Sequence, residues 1–299
     1  MKKESLLKRI WRCRTSYLFV LPALILLIVF RYSSFITSIY QSLFQWNGAT
    51  VHIFVGLGNY IELMKDEKFW TSLLNIAIYM IAVILRNLVF PFIAVELVMN
   101  LKGRKQEVLK MGFIVPMVVP TMVVILLWRW ILGGETGILN MALTKLGLEE
   151  WVTPWLGDPS TALGALIAVG FPWIAGLPFL LYLAGKQGIS ESLYESASLE
   201  GAGLLQKIRY IDIPLLASQR KLIITYSVIT AFQAFEMPMV LTSGGPGVST
   251  MVPALYLYQK AFNENEFGYA SAIGTVVFLI LLVLTLINQR IGKESDGNE

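Results

Sequence analysis

The sequence predicts an all-α, polytopic membrane protein with six transmembrane helices and both termini in the cytoplasm. Three observations carry that prediction. Of 299 residues, 56% are apolar and only 15% charged, against roughly 25% charged in a typical soluble domain. Mean hydropathy is +0.64, and a soluble fold has no way to hide that much apolar surface. Six apolar stretches each approach or exceed the ~20 residues that a helix needs to cross a bilayer. Finally, the basic residues fall overwhelmingly on one set of loops.

In chain order, a basic N-terminal segment, 1–15, precedes a membrane domain, 16–292, and a tail, 293–299. The spans lie near 16–40, 71–97, 111–132, 161–185, 221–243 and 268–290. The fourth and sixth stretches are uncharged, from Pro159 to Gly185 and from Gly268 to Gln289. The others carry Arg31, Arg86 with Glu96, Arg129, or Glu236. Transmembrane β-strands would instead show ten-residue alternating segments, which these continuous runs exclude. Six Lys and Arg precede the first span, four follow the second, five follow the fourth and two follow the sixth, 17 in all. The opposite loops hold four: Lys65, Lys68, Lys145 and Lys260. The positive-inside rule then places both termini in the cytoplasm. The first apolar stretch exceeds a signal peptide's 7–15 residues and lacks a small-x-small cleavage site, so it reads as a retained span.

The outer loops, about 41–70 and 133–160, are rich in aromatic and turn residues. They include Trp46-Asn47-Gly48 and Trp151-Val152-Thr153-Pro154-Trp155, where Trp can anchor at the interface. No linker, repeat or low-complexity segment divides the chain.

Several chemistries are excluded. One cysteine, Cys13, and one histidine, His52, permit neither a disulfide framework nor a zinc site. No phosphate loop of the G-x-x-x-x-G-K-[ST] type occurs, and Gly201-x-Gly203 is no dinucleotide fingerprint. No Ser/His or Cys/His pair is available for hydrolysis. The net charge of +4 follows from membrane sidedness and signals no nucleic acid.

The cytoplasmic loop 186–220 is more than a connector. Ser190 can cap a helix running to about Glu200, small residues at 196–198 leave one face low, and Gly201 and Gly203 permit a tight turn with positive φ. A second short helix follows, with apolar residues at 204, 205, 208 and 211, and Pro214 can open the fifth span. Physically, this segment reads either as an amphipathic connector on the inner leaflet or as a helix–turn–helix bump for docking another protein.

The pattern Glu195-x-Ala197-x-x-Glu200-Gly201-Ala202, followed by Ile211-x-Ile213-Pro214, resembles the EAA motif of ABC-importer permeases. It departs from that pattern conservatively, with Ser196 for Ala, Glu200 for Asp and Ile213 for Leu. Val55-Gly56-Leu57-Gly58-Asn59-Tyr60, with Leu63, Asp66, Phe69 and Trp70, resembles a segment of carbohydrate-uptake permeases. Leu241-Thr242-Ser243-Gly244-Gly245-Pro246 is similar to their L-T-x-G-G-P turn, and Tyr258-Gln259-Lys260-Ala261-Phe262 with Phe267-Gly268-Tyr269-Ala270-x-Ala272 to their approach to the last span. Together these cover most of the chain, and they resemble the compact form of the maltose and glycerol-3-phosphate importer subunits.

The resemblance implies a type I ABC-importer permease fold in a bacterial inner or plasma membrane. It implies a second homologous permease subunit, two ATP-binding cassette ATPases that hold ATP and Mg, an extracytoplasmic solute-binding protein, and a sugar substrate. This chain would itself bind no cofactor and catalyse nothing. Coupling to the ATPase would fall to Glu195, Ser196, Ala197, Glu200, Gly201, Ala202, Gly203, Ile211 and Pro214.

For the substrate pathway, Thr230–Gln233 falls roughly 14–18 Å into the fifth span. Tyr226, Thr230, Gln233 and Glu236 share helical spacings that gather polar groups on one face. Such groups usually line a wet path, and Phe232, Phe235 or Trp173 could supply an apolar platform for a sugar ring. In the resembled family the fourth and fifth spans line the site, which adds Trp173 and Leu177. The alternative is that Gln233 and Glu236 only join neighbouring helices or pair with Arg86 or Arg129. Gly170, Gly176 and Gly185 read as close-packing positions. An ABC permease for amino acids, phosphate or metals, an ion-coupled secondary carrier, and a membrane enzyme or scaffold are the competing readings. The Gly244-Gly245-Pro246 and Asn59-Tyr60 segments favour carbohydrate.

Overall fold

The computed structural model describes residues 14–171 and 176–295. They form two compact units, one of residues up to Lys65 with Gln259–Val276, the other of Asp66–Tyr258 with the chain from Val277.

In the first unit, α1 (Arg14–Leu27) passes through a π turn at Ile28–Tyr32 into α2 (Ser33–Gln41). Every described side chain from Thr15 to Ser34 is exposed. The all-helical expectation needs one amendment in the outer loop. There β1 (Phe44–Trp46) pairs antiparallel with β2 (His52–Phe54), Phe44 opposite Phe54 and Trp46 opposite His52. The Asn47 side-chain carbonyl accepts the backbone N–H groups of Ala49, Thr50 and Val51 at 3.1, 3.0 and 2.9 Å and so closes the hairpin. Asn in turns favours such bonds. In α3 (Gly58–Lys65), buried Asn59 donates to the carbonyls of Ser42 and Phe44 at 2.7 and 2.9 Å, and the Tyr60 hydroxyl lies 2.6 Å from the Ser42 hydroxyl. Gly268 lies against the Phe44 backbone, where a Cβ would strike the carbonyl oxygen.

The second unit opens with α4 (Glu67–Met99), capped by the Asp66 side chain, which accepts from the backbone of Lys68 and Phe69 at 2.9 and 3.3 Å. At 33 residues α4 is about 50 Å long, well beyond the hydrocarbon thickness. Then come α5 (Arg104–Ile114), a tight turn at Val115–Val118, α6 (Thr121–Ile131), α7 (Ile138–Lys145), α8 (Ala162–Ala168) and α9 (Gly176–Gln187). Next are α10 (Glu191–Leu199), α11 (Leu204–Lys207), a π turn at Ile208–Asp212 and α12 (Ile213–Leu215). The remainder is α13 (Ala217–Phe232), α14 (Glu236–Thr242), α15 (Pro253–Tyr258) and the part of α16 (Phe267–Ser295) that follows Val276.

By length and composition, Thr15–Gln41, Glu67–Met99 and Phe267–Arg290 could each cross a membrane. Three of the expected spans are bent or broken. The third bends by 91° between Val118 and Thr121, where Pro116 and Pro120 remove backbone donors. The fifth bends by 45° between Phe232 and Glu236, because the ring of Pro238 opposes helical geometry at Ala234, four residues earlier. The fourth stops at Ala168, with Val169 extended and Gly170 at φ +86°, and resumes as α9.

Two apolar clusters hold this unit together. Ala94, Val95, Val98, Phe179, Tyr182, Leu183, Leu216 and Ile223 join α4, α9 and α13. Ile125, Ala165, Leu166, Val169 and Leu241 join α6, α8 and α14. In lipid such contacts are favoured by close packing rather than by escape from water. Accordingly, a Cβ on Gly176 would overlap Met117, and one on Gly185 would come within 2.6 Å of Gln219 and Leu216. Gly170 differs, with open space around it and a positive φ.

Candidate functional site

The loop 186–220 folds as two helices with a defined joint. Ser190 stands at the N-cap of α10 with extended backbone, but its hydroxyl meets Ser192 rather than a helix N–H. At the other end, the Gly201 N–H donates to the Ser198 carbonyl at 3.1 Å and the Ala202 N–H to the Ala197 carbonyl at 2.8 Å. With Gly201 at φ +80°, this is a Schellman cap. The spacing Ala197, Gly201, Ala202 is therefore the spacing that the cap requires. Gly203 was expected at positive φ but sits at φ −73° as the N-cap of α11, its N–H bonded to the Gln206 side chain at 2.7 Å. Lys207 reaches back to the Ser198 hydroxyl at 2.7 Å and ties the two helices. Pro214 lies within α12, one short turn before α13 opens at Ala217.

Around this joint, Glu195, Ser196, Glu200, Gly201, Gly203 and Pro214 are exposed, and Ala197, Ala202 and Ile211 half-buried. Large apolar side chains surround them: Leu199 is 89% exposed, Leu205 79% and Tyr210 70%. The segment thus combines fixed internal geometry with an uncovered apolar surface.

Beneath the segment lies a buried charge cluster. Lys186, in the last turn of α9, is ion-paired with Glu96 near the end of α4 and with Asp212 at 2.9 Å. Their side chains are 10%, 8% and 1% exposed. The Tyr194 hydroxyl of α10 donates to the other Asp212 oxygen, and the Lys186 ammonium sits 5.8 Å from the centre of the Tyr194 ring. Burial, reinforced by Asp212, raises the Tyr194 phenol well above its ordinary pKa, so it remains a protonated donor. The sequence reading missed this cluster, although each charge interrupts apolar surroundings: Glu96 in the second span, Lys186 straight after the fourth, and Asp212 between two isoleucines.

The substrate-pathway residues fare unevenly. The helical face drawn through Tyr226, Thr230, Gln233 and Glu236 ends at the bend. Thr230 is half-buried and donates to the Tyr226 carbonyl at 2.9 Å, Gln233 caps the end of α13, and Glu236 opens α14, the last two exposed. Phe235 packs against Tyr258 with ring centroids 5.1 Å apart. Leu177 is exposed on α9, and Trp173 lies outside the described residues. Neither Gln233 nor Glu236 pairs with an arginine among the described residues. Arg86 instead donates to the carbonyls of Ile167 and Val169 at 3.3 and 3.0 Å, where α8 ends, a position that suits a cation.

At the turn 241–246, Ser243 and Gly244 both take positive φ. Buried Thr250 bonds the Gly245 carbonyl at 2.8 Å and the Thr242 hydroxyl at 2.6 Å. Asn75 of α4 donates to the carbonyls of Val248 and Met251, each at 2.9 Å.

Residues 87–294 match the family described as the binding-protein-dependent transport system inner membrane component. The chain belongs to this family. The matched stretch of this inner-membrane transport component contains all of 189–214 and omits α1–α3. The chain is similar to the probable ABC transporter permease protein YurN of Bacillus subtilis, at 36% identity over 93% of this chain and 95% of that one. It is similar also to the trehalose/maltose transport system permease protein MalF of Thermococcus litoralis, at 29% identity over 94% of each. A chain of a bacterial ABC transporter involved in importing the acidic polysaccharide alginate shares its fold, with a TM-score of 0.84 at 22% identity, covering 97% of this chain and 99% of that one. The fold of this multi-pass membrane protein is that of a type I ABC-importer permease.

Proposed function

We propose that this chain forms half of the translocation pathway of an ATP-driven, binding-protein-dependent importer for a sugar or oligosaccharide. The observation that carries the reading is the segment 189–214, a capped helix–turn–helix with internal bonds and an exposed apolar face. A passive connector lying in the inner leaflet has no need of such a joint. In this reading both termini and 186–220 are cytoplasmic, and six spans cross the membrane, some of them bent. A homologous permease supplies the other half, two separate subunits bind and hydrolyse ATP with Mg, and an external binding protein delivers the solute.

Closure of the ATPases pushes on Glu195–Gly203 and tilts the flanking spans, switching the cavity between its two openings. At the break after Phe232 the Gln233 amide and the Glu236 carboxylate are exposed and have no helix-neighbour partner among the described residues, so both can meet sugar hydroxyls. Phe235, Leu177, Thr230 and Trp173 complete the proposed lining. A sugar is favoured because the relative from Thermococcus is named for trehalose and maltose, and the fold is shared with an alginate importer.

The test is purification from native membranes, followed by uptake into proteoliposomes of the solute that mass spectrometry finds on the cognate binding protein. An ATPase should copurify, and joint replacement Glu195→Lys and Glu200→Lys should abolish coupled uptake while the chain stays in the membrane. Gln233→Ala should raise KM for uptake with assembly intact. A chain that purifies alone, transports without ATP and responds to an ionophore would overturn the proposal.

A further inference from the structure

We infer that Lys186, Asp212, Glu96 and Tyr194 form a clamp that makes the coupling segment and the cytoplasmic ends of the second and fourth spans one rigid body. The inference rests on the coupling role proposed for 189–214 and assigns positioning residues to it. The four side chains come from four separate stretches: α4, α9, α10 and the π turn before α12. One ammonium bridges two carboxylates, and the phenol hooks α10 onto the second of them. Among the described residues, the side-chain hydrogen bonds that α10 makes beyond itself and its cap go to Asp212 and Lys207. The Lys207 bond joins α10 only to α11, so the Tyr194–Asp212–Lys186–Glu96 chain is the polar tie that reaches the spans.

The surroundings leave that tie with the load. A cavity of about 710 Å³ opens beside it, lined by Met99, Asn100, Gln187, Ile189, Leu204 and Lys207 among others. Apolar packing does not fill this gap, so α10 could pivot into it once the tie is cut. A pivoting helix would absorb a push from outside, whereas a clamped one passes it to α4 and α9. Glu96 Oε1 is buried with no hydrogen-bond partner. A buried half-satisfied carboxylate is costly to a fold, and it is kept in place by the ammonium that also holds Asp212.

The test uses the assembled complex in nanodiscs with Cys13 replaced by Ser and nitroxides on Ser192→Cys in α10 and Leu97→Cys in α4, both exposed. Distance distributions are recorded by pulsed electron resonance without nucleotide and after ATP–vanadate trapping. The unmodified clamp predicts one narrow distribution that is the same in both states. Lys186→Met predicts a distribution at least twice as broad, and Lys186→Arg, which keeps the cation, predicts recovery of the narrow one. A narrow, unshifted distribution in Lys186→Met overturns the clamp, as does a distance that changes on trapping while the clamp is intact. If Lys186→Met fails to assemble, Tyr194→Phe removes one hydroxyl without unpairing the ammonium, and an unbroadened distribution there overturns the clamp. The nucleotide-free measurement needs no ATPase. Failure of an ATPase to copurify would therefore defeat the coupling role, while the nitroxide distances judge the clamp.

Discussion

Gly201 is the joint of the segment 189–214, for which a coupling role is proposed, and its substitution separates backbone geometry from contact. The residue sits at φ +80°, and a Cβ added there would meet nothing within 4 Å. Steric clash with neighbours therefore contributes nothing, and the whole cost is conformational. For Ala that cost is about 1 kcal/mol, a factor of about five in the closed-to-open ratio of the cap. Asn visits the left-handed region more readily than other non-glycine residues and falls between Gly and Ala, while the β-branched Val exceeds Ala. The cap consists of the two bonds from Gly201 to Ser198 and from Ala202 to Ala197, so its opening is read by hydrogen exchange at the 201 and 202 amides. Protection should fall in the order Gly, Asn, Ala, Val, with Ala down roughly five-fold. A Val variant as protected as the native chain would refute the argument, because it would mean that the conformation is not strained for a side chain.

Three other perturbations follow from the same geometry. Gly268→Ala drives a methyl into the Phe44 carbonyl oxygen and should loosen the β1–β2 hairpin, seen as faster proteolysis between 44 and 54; unchanged cleavage would contradict the packing. Asp66→Ala removes the cap of α4 and the acceptor for the Tyr256 hydroxyl, so Tm in detergent should fall by an amount equivalent to about 1–2 kcal/mol. Burial lowers the Lys260 pKa, but its bonds to Glu264 and Glu266 more than offset this, leaving it raised above 10.5. A raised folded value means that the stabilisation is complete below the ordinary lysine range and disappears as pH climbs through the raised value. The stability advantage of the native chain over Lys260→Met should therefore be present at neutral pH and shrink as pH rises beyond the ordinary lysine range; a pH-independent difference would contradict it.

How far the residues disclosed this fold depended on the range of the forces involved. The long apolar runs needed no partner to be recognised, and α4 and α16 lie where length and hydropathy put them. The turn after α10 was readable in part: Gly201, four residues after Ala197, takes the expected positive φ, whereas Gly203 serves instead as the N-cap of α11. The bends were harder. Hydropathy averages over about twenty residues, so it passed over Pro116, Pro120 and Pro238, each of which breaks a helix locally while leaving the stretch apolar. In consequence the face drawn through Thr230, Gln233 and Glu236 assumed a helix that ends at Gln233. The charge cluster was invisible for the opposite reason. Glu96, Lys186 and Asp212 are far apart in sequence, and only the packing of α4, α9 and α13 brings them together. The motif residues Asn59 and Asp66 turned out to fasten a loop and a helix end through bonds to backbone, and Gly268 to admit the Phe44 backbone at close range, none of which a spacing rule revealed.

The central claim is that 189–214 is the surface on which the ATPase acts. A photoreactive amino acid placed at Leu199 or Leu205, the most exposed leucines of the segment, tests it directly in native membranes. Crosslinking to an ATP-binding cassette subunit from both positions, and from neither Leu57 nor Leu146 in the loops assigned outside, is the predicted result. Crosslinks from Leu57 and Leu146 but not from Leu199 and Leu205, or crosslinks from Leu199 and Leu205 to lipid alone, would contradict the account.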